Sequence, residues 1–169
     1  MPCRGACQGP TAQDVPGTTR ASQFDRDFVT SAYQIILFDR AEGKMAQTEA
    51  HDPKVRQLAG KLVRQADEFD ARLAPIAASL GIDPPTILDY DRRLRFGHMR
   101  LQRGLDFDAT YISDQITSHQ DAVNSQEMMM SKVGEDSRLT ALSRIGLDLI
   151  RTNLVTLREL RREMMMRGH

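Results

Sequence analysis

A chain of 169 residues, 40% apolar and 27% charged, has the length for one domain with a sizeable core. Its formal net charge of zero excludes a whole-molecule attraction to nucleic acid, so no nucleic-acid partner is expected. No apolar run reaches the roughly 18 residues a membrane-spanning helix needs, so no transmembrane segment is expected either.

Residues 1–22 are rich in Pro, Gly, Thr, Ser and Gln and lack the apolar content to fold, which predicts a disordered N-terminal arm ahead of one domain over 23–169. Cys3 and Cys7 both lie in that arm, so no disulfide is expected to staple the core. The apolar segment of a signal peptide is not visible. Gly5-Ala6-Cys7 followed by a polar tether resembles the end of a lipoprotein signal, with Arg4 where an apolar residue is wanted, and lipidation of Cys7 stays open.

The first long helix is predicted from about Gln23 to Thr48, capped by Ser22 or Asp25, with Phe24, Phe28, Ala32, Ile35, Ile36 and Met45 at helical spacing. The second opens at Asp52 as N-cap with Pro53 in the first position, and carries Val55, Leu58, Leu62, Phe69, Leu73, Ile76 and Leu80. Gly81 is placed to end it, and Pro75 should kink its last turns. A crossover from Ile82 to Leu105 begins with Pro84-Pro85 and holds a short helix around Asp89 to Leu101. The third long helix follows Asp106 and runs to about Val133 with Gly134 as its stop, on a seam of Ile112, Ile116, His119, Val123, Met130 and Val133. The fourth runs from Asp136 to about Arg167, closed by Gly168. It is apolar over so much of its circumference (Leu142, Ile145, Leu147, Leu149, Ile150, Leu154, Leu157, Leu160) that a homodimer through it is expected.

Phe24-Asp25-Arg26-Asp27-Phe28-Val29 returns 83 positions later as Phe107-Asp108-Ala109-Thr110-Tyr111-Ile112, and Asp52 returns as Asp136. A repeat that keeps its spacing marks a supersecondary unit used twice. Two hairpins with short loops, neither able to bury its stripe alone, predict an all-α four-helix bundle joined by the long crossover.

Several phrases resemble the bacterial family catalogued as domain of unknown function 4142, often labelled "predicted outer membrane protein". They are Phe28-Val29-Thr30 with Ala32, Glu42-Gly43-Lys44-Met45-Ala46, Asp52-Pro53-Lys54-Val55 with Leu58-Ala59, Phe107-Asp108 with Tyr111, His119-Gln120-Asp121-Ala122-Val123, and the Leu-x-x-Leu phrases ending at Leu154. The resemblance spans about residues 23–162. It implies a ferritin-like bundle, a periplasmic or outer-membrane location, an envelope or protein partner, and a role in envelope stress or adaptation. The chain departs from the family where an Asp-His pair is usual and Gln65-Ala66 stands, where a His is usual and Asn153 stands, and where a Pro is usual and Asp148 stands.

No nucleophile motif, phosphate loop or dinucleotide fingerprint occurs, so no enzyme activity and no cofactor are expected. A di-iron centre needs Glu-x-x-His pairs. Glu42 could serve as a first ligand, but no Glu-x-x-His exists, and no metal is expected. The alternative is soft-ligand capture of Cu(I) by a Met/His bundle. One candidate set is Met45, His51, Met128, Met129 and Met130; the other is His98, Met99, Met164, Met165 and His169. Methionines at helix ends also fill irregular core gaps. Arg92, Arg93, Arg95, Arg100 and Arg103 form the one local charge concentration, read as the solvated face of the crossover. His119, with Asn153 as a hydrogen-bond partner across the core, is expected to be a buried polar pair, and burial of the imidazole predicts loss of stability in acid.

Overall fold

The computed structural model of the protein describes residues 21–130 and 136–167. Cys3, Cys7, most of the expected arm, the glycines expected to stop the last two helices, and His169 lie outside the described residues, as does the side chain of Met130. Five helices follow in order: α1 (Gln23–Glu49), α2 (Pro53–Ser79), the short α3 (Tyr90–Met99), α4 (Gly104–Met130) and α5 (Ser137–Arg167). No strand occurs among the described residues.

The helix ends follow local chemistry. Ser22 caps α1 through a reciprocal box: the Asp25 amide donates to Ser22 Oγ at 3.1 Å, and the Ser22 amide donates to Asp25 Oδ2 at 2.8 Å. Asp52 Oδ1 accepts from the Lys54 amide at 2.8 Å, and Pro53 costs α2 nothing because its missing N–H would be unpaired there anyway. After Leu80, the Ile82 amide reaches back to Ala77 O (3.0 Å) and the Gly81 amide to Ala78 O (3.1 Å). That pairing needs a left-handed residue after the cap, and Gly81 supplies φ of +64° without a Cβ penalty. Gly104, at φ +57°, turns the chain from the crossover straight into α4, which therefore starts earlier than the Asp106 signal suggested. Asp136 caps α5 by accepting from the Arg138 amide at 2.8 Å.

α1 and α5 each pack against α2 and α4, and α3 lies against α1 and α4. The His51 amide donates to Asp108 Oδ1 (2.8 Å), which places the end of α1 beside the start of α4. Arg138 donates to Ser79 Oγ (3.1 Å), which places the start of α5 at the end of α2. Neighbouring long helices are therefore antiparallel, and α1 and α5 run up while α2 and α4 run down. We call the end holding the α1–α2 turn the upper end. The segment 80–103 returns the chain upward along a bundle roughly 40 Å long. The result is a four-helix bundle of two hairpins and a crossover.

Three apolar clusters fill it, a large one toward each end and a small one of Ile35, Ala122, Val123, Leu147 and Ile150 between α1, α4 and α5. The upper one joins Ala46, Leu58, Leu62, Met99, Phe107, Tyr111, Leu154 and Leu157, and the lower one joins Phe28, Val29, Tyr33, Leu73, Ala77, Leu139 and Leu142. A single bundle covers most of the α5 face that suggested a dimer: Leu142, Leu147, Ile150, Leu154, Leu157 and Leu160 are all buried, leaving Ile145 and Val155 about half exposed.

Candidate functional site

Between the two large clusters, beside the small one, polar side chains enter the core. The apolar rhythm of α1 (Phe28, Ala32, Ile35, then Ala46) continues through Asp39 and Glu42, and that of α4 runs through Gln115, His119 and Gln126. Because these positions keep the helical period of the seam, their side chains must point inward whatever their polarity. Glu42, Gln115 and His119 are at most 1% exposed, and Asp39, Gln126 and Asn153 are buried with them.

Few partners meet these groups. Gln115 Nε2 donates to Glu42 Oε2 at 3.0 Å, while Glu42 Oε1, Asp39 Oδ1 and the Tyr111 hydroxyl have no partner. Among the described residues no cation forms an ion pair with either acid. The nearest positive charges come from α3, where Arg92 is committed to Asp89 and Arg95 sits 3.8 Å from Asp121. Burial therefore dominates. It pushes the Asp39 carboxyl up to about 8, with Arg92 and Gln115 pulling back only in part. It raises Glu42 well above the usual carboxylate range, and the nearby Asp114 charge adds to that. Tyr111 is raised by burial and then by the two acids. Burial thus favours the neutral form of both acids, and Asp39 keeps its proton up to about pH 8.

His119 donates from Nδ1 to the Gln115 carbonyl oxygen one turn back, at 2.9 Å. A carbonyl only accepts, so Nδ1 carries the proton and Nε2 the lone pair. Burial lowers this imidazole to about 4. The sequence suggested that Asn153 pairs with it; instead Asn153 Nδ2 donates to Gln65 Oε1 of α2 at 2.9 Å, although His119 lines the same cavity.

Asp39, Gln65, His119, Gln126 and Asn153 line a cavity of about 40 Å³ walled otherwise by Ile35, Phe69 and other apolar groups. Asp39 Oδ1, Gln126 Oε1 and Asn153 Oδ1 have no protein partner. Such a space holds roughly two or three water molecules. A protonated acid, a neutral imidazole and two amide oxygens around them can store and pass a proton. Among the described residues no group of three or more His, Cys, Asp or Glu is arranged to hold a metal ion.

The thioether sets are regrouped by the topology. Met45 and His51 stand at the upper end, whereas Met128 and Met129 stand at the foot of α4, roughly 30 Å away at 1.5 Å per residue. The expected grouping of Met45 and His51 with Met128, Met129 and Met130 is thus wrong: α1 ends where α4 begins. Met129 packs on the lower cluster. Met99 is fully buried in the upper cluster, with Met45 and Met164 packed against it. His51, Met164 and Met165 line one depression there. His98 is exposed on α3 and contacts Gln102 Nε2 at 3.1 Å.

Asp39, Asp114 and Gln115 were not singled out by the sequence. The signal was present: polar residues on the apolar period of α1 and α4, where a solvated side chain has no place.

A model for a domain of unknown function, DUF4142, matches residues 10–160. No curated protein matches the sequence. Among solved structures, the crystal structure of a DUF305 fragment from Deinococcus radiodurans is similar with a TM-score of 0.76 at 14% identity, covering 85% of this chain and 99% of that one. At that identity the likeness is one of fold alone.

Proposed function

This chain belongs to the DUF4142 family, and on that premise we propose that it is a non-enzymatic, extracytoplasmic helical-bundle protein that serves envelope adaptation by responding to pH. One observation carries the reading: two acids and an imidazole are buried together in the core waist, with no ion pair to either acid among the described residues and with burial favouring the neutral form of each. A buried carboxyl kept protonated is a latent charge, and the waist must rearrange or admit water once it ionises. The two apolar clusters on either side keep the hairpins together while the waist changes.

A strain lacking the protein, complemented with the natural chain or with Asp39→Asn, tests this under alkaline shift of the medium. The reading predicts slowed recovery in the deletion strain, restored by the natural chain and not by Asp39→Asn. Equal recovery of all strains at every pH contradicts it.

A second reading rests on the upper end, where Met45, Met99 and Met164 surround one cluster beneath His51 and Met165. Thioethers with an imidazole suit Cu(I). Titration with Cu(I) under reducing conditions should then saturate at a fixed stoichiometry that Met164→Leu with Met165→Leu abolishes. No saturable binding rejects this second reading.

A further inference from the structure

The crossover carries its hydrophobicity on the wrong side for a helix that only covers a bundle. Met99 of α3 is fully buried, yet Tyr90 and Leu94 are 66% and 55% exposed. At 100° per residue, Tyr90, Leu94, Gly97 and Leu101 fall within about 60° of one another, opposite Met99. Ile87 before the helix and Leu105 after it are each 67% exposed, and Leu101 is 78% exposed. Tyr90, Leu94 and Leu101 thus form an exposed apolar row on the crossover, with Ile87 and Leu105 exposed just before and after it. Single exposed apolar residues are ordinary; a row of them marks a binding surface.

The charge beside the row says what covers it. Arg93 and Arg100 fall along one flank of the stripe, and Arg103 follows in the next turn. Among the described residues none of the three forms an ion pair; Arg100 lies over the Phe96 ring, and Arg103 donates to the carbonyls of Arg100 and Gln102. The inward arginines differ, Arg92 pairing with Asp89 and Arg95 with Asp121. Gln34 pins the start of the segment to α1, accepting from the Asp89 amide (2.8 Å) and donating to Ile87 O (3.0 Å). Met99 anchors the other end. The face is therefore presented on a fixed element.

We propose that this face docks the bundle onto the surface of an anionic phospholipid bilayer. Leu, Ile and Tyr enter to headgroup depth while the guanidinium groups meet lipid phosphates, the division of labour of an interfacial amphipathic helix. A second copy of the chain suits the face poorly, since a two-fold contact would set Arg93 and Arg100 against their own equivalents. The crossover runs along the bundle, so docking lays the long axis parallel to the membrane. Zero net charge does not oppose this, because charges beyond about 10 Å are screened and the bilayer feels mainly the nearest face.

Co-sedimentation with vesicles is the test, using phosphatidylglycerol against phosphatidylcholine. The full chain should pellet with the anionic vesicles and be released as salt rises. Each basic residue at such a surface contributes about a factor of five, so Arg93→Gln with Arg100→Gln should weaken partitioning roughly 25-fold. Leu94→Glu with Leu101→Glu should abolish it while the thermal melt stays close to that of the natural chain, as both side chains are more than half exposed. Absence of binding at low salt overturns the proposal. So does binding that both double variants retain, or a dimer in sedimentation equilibrium that Leu94→Glu with Leu101→Glu dissolves without any vesicle binding.

Discussion

Asp39 and His119 titrate in opposite senses, and burial sets the sign of each. Asp39 holds its proton to about pH 8 when folded, against about 4 for an ordinary carboxyl, so its stabilising contribution is complete below about pH 4 and is lost as pH rises through 8. His119 gains its proton only near pH 4 when folded, so its contribution is present above 6.5 and is lost as pH falls through 4. Each slope is at most about 1.4 kcal/mol per pH unit. The acid sensitivity expected from His119 alone is thus opposed by the carboxyls. Glu42 is raised in the same sense, so stability from urea denaturation should fall gently between about pH 4.5 and 6.5, where His119 offsets one of the two carboxyls, and more steeply from 6.5 to 8. Asp39→Asn should flatten that decline. His119→Leu should remove the acid-side loss and leave stability falling across the whole range, with a modest change near neutrality. The sequence showed His119 because a histidine on an apolar seam is conspicuous. It hid Asp39 because an aspartate in a helix reads as solvent-facing until the period is followed through it.

The α1–α2 turn is held from across the bundle. Asp108, fully buried, accepts from the His51 amide at 2.8 Å and the Asp52 amide at 2.7 Å, so one carboxylate fastens α4 to the entry of α2. Asp108→Ala leaves two amides without an acceptor and should cost about 2–3 kcal/mol in urea denaturation, with faster hydrogen exchange confined at first to the upper end. Asp25→Ala, its counterpart in the repeat, should cost about 1 kcal/mol, the value of a cap. The repeated phrase showed that both aspartates matter. It could not show that one caps its own helix while the other binds a neighbouring turn, since that depends on which loop packs beside each. α1 and α2 also meet closely at Gly43, where a Cβ would lie 2.6 Å from Val63 Cγ2. Gly43→Ala should destabilise by about 1–3 kcal/mol, and Val63→Ala should recover part of the loss.

At the scale of the whole molecule, caps, the Gly81 stop, the short α1–α2 loop and the repeat were enough to specify the two hairpins and the crossover. The direction in which α4 runs beside α1 was not, and the methionine groups were misjoined for that reason. Hairpin loops fix neighbours within a pair, while the pairing of hairpins follows from long-range packing. The outer row Tyr90, Leu94 and Leu101 escaped notice because a ten-residue helix with an apolar face reads as covering the core, and only the buried Met99 shows that the other side does so. The fold thus has two large apolar clusters on either side of a partly polar waist, with a basic, apolar-edged crossover on its flank. The claim on which this account turns is that Asp39 is protonated inside the folded bundle at neutral pH. A carbon-13 NMR titration of its side-chain carboxyl, assigned by its loss in Asp39→Asn, measures this directly. The account predicts a midpoint near pH 8; a midpoint near 4, with the bundle still folded, would contradict it.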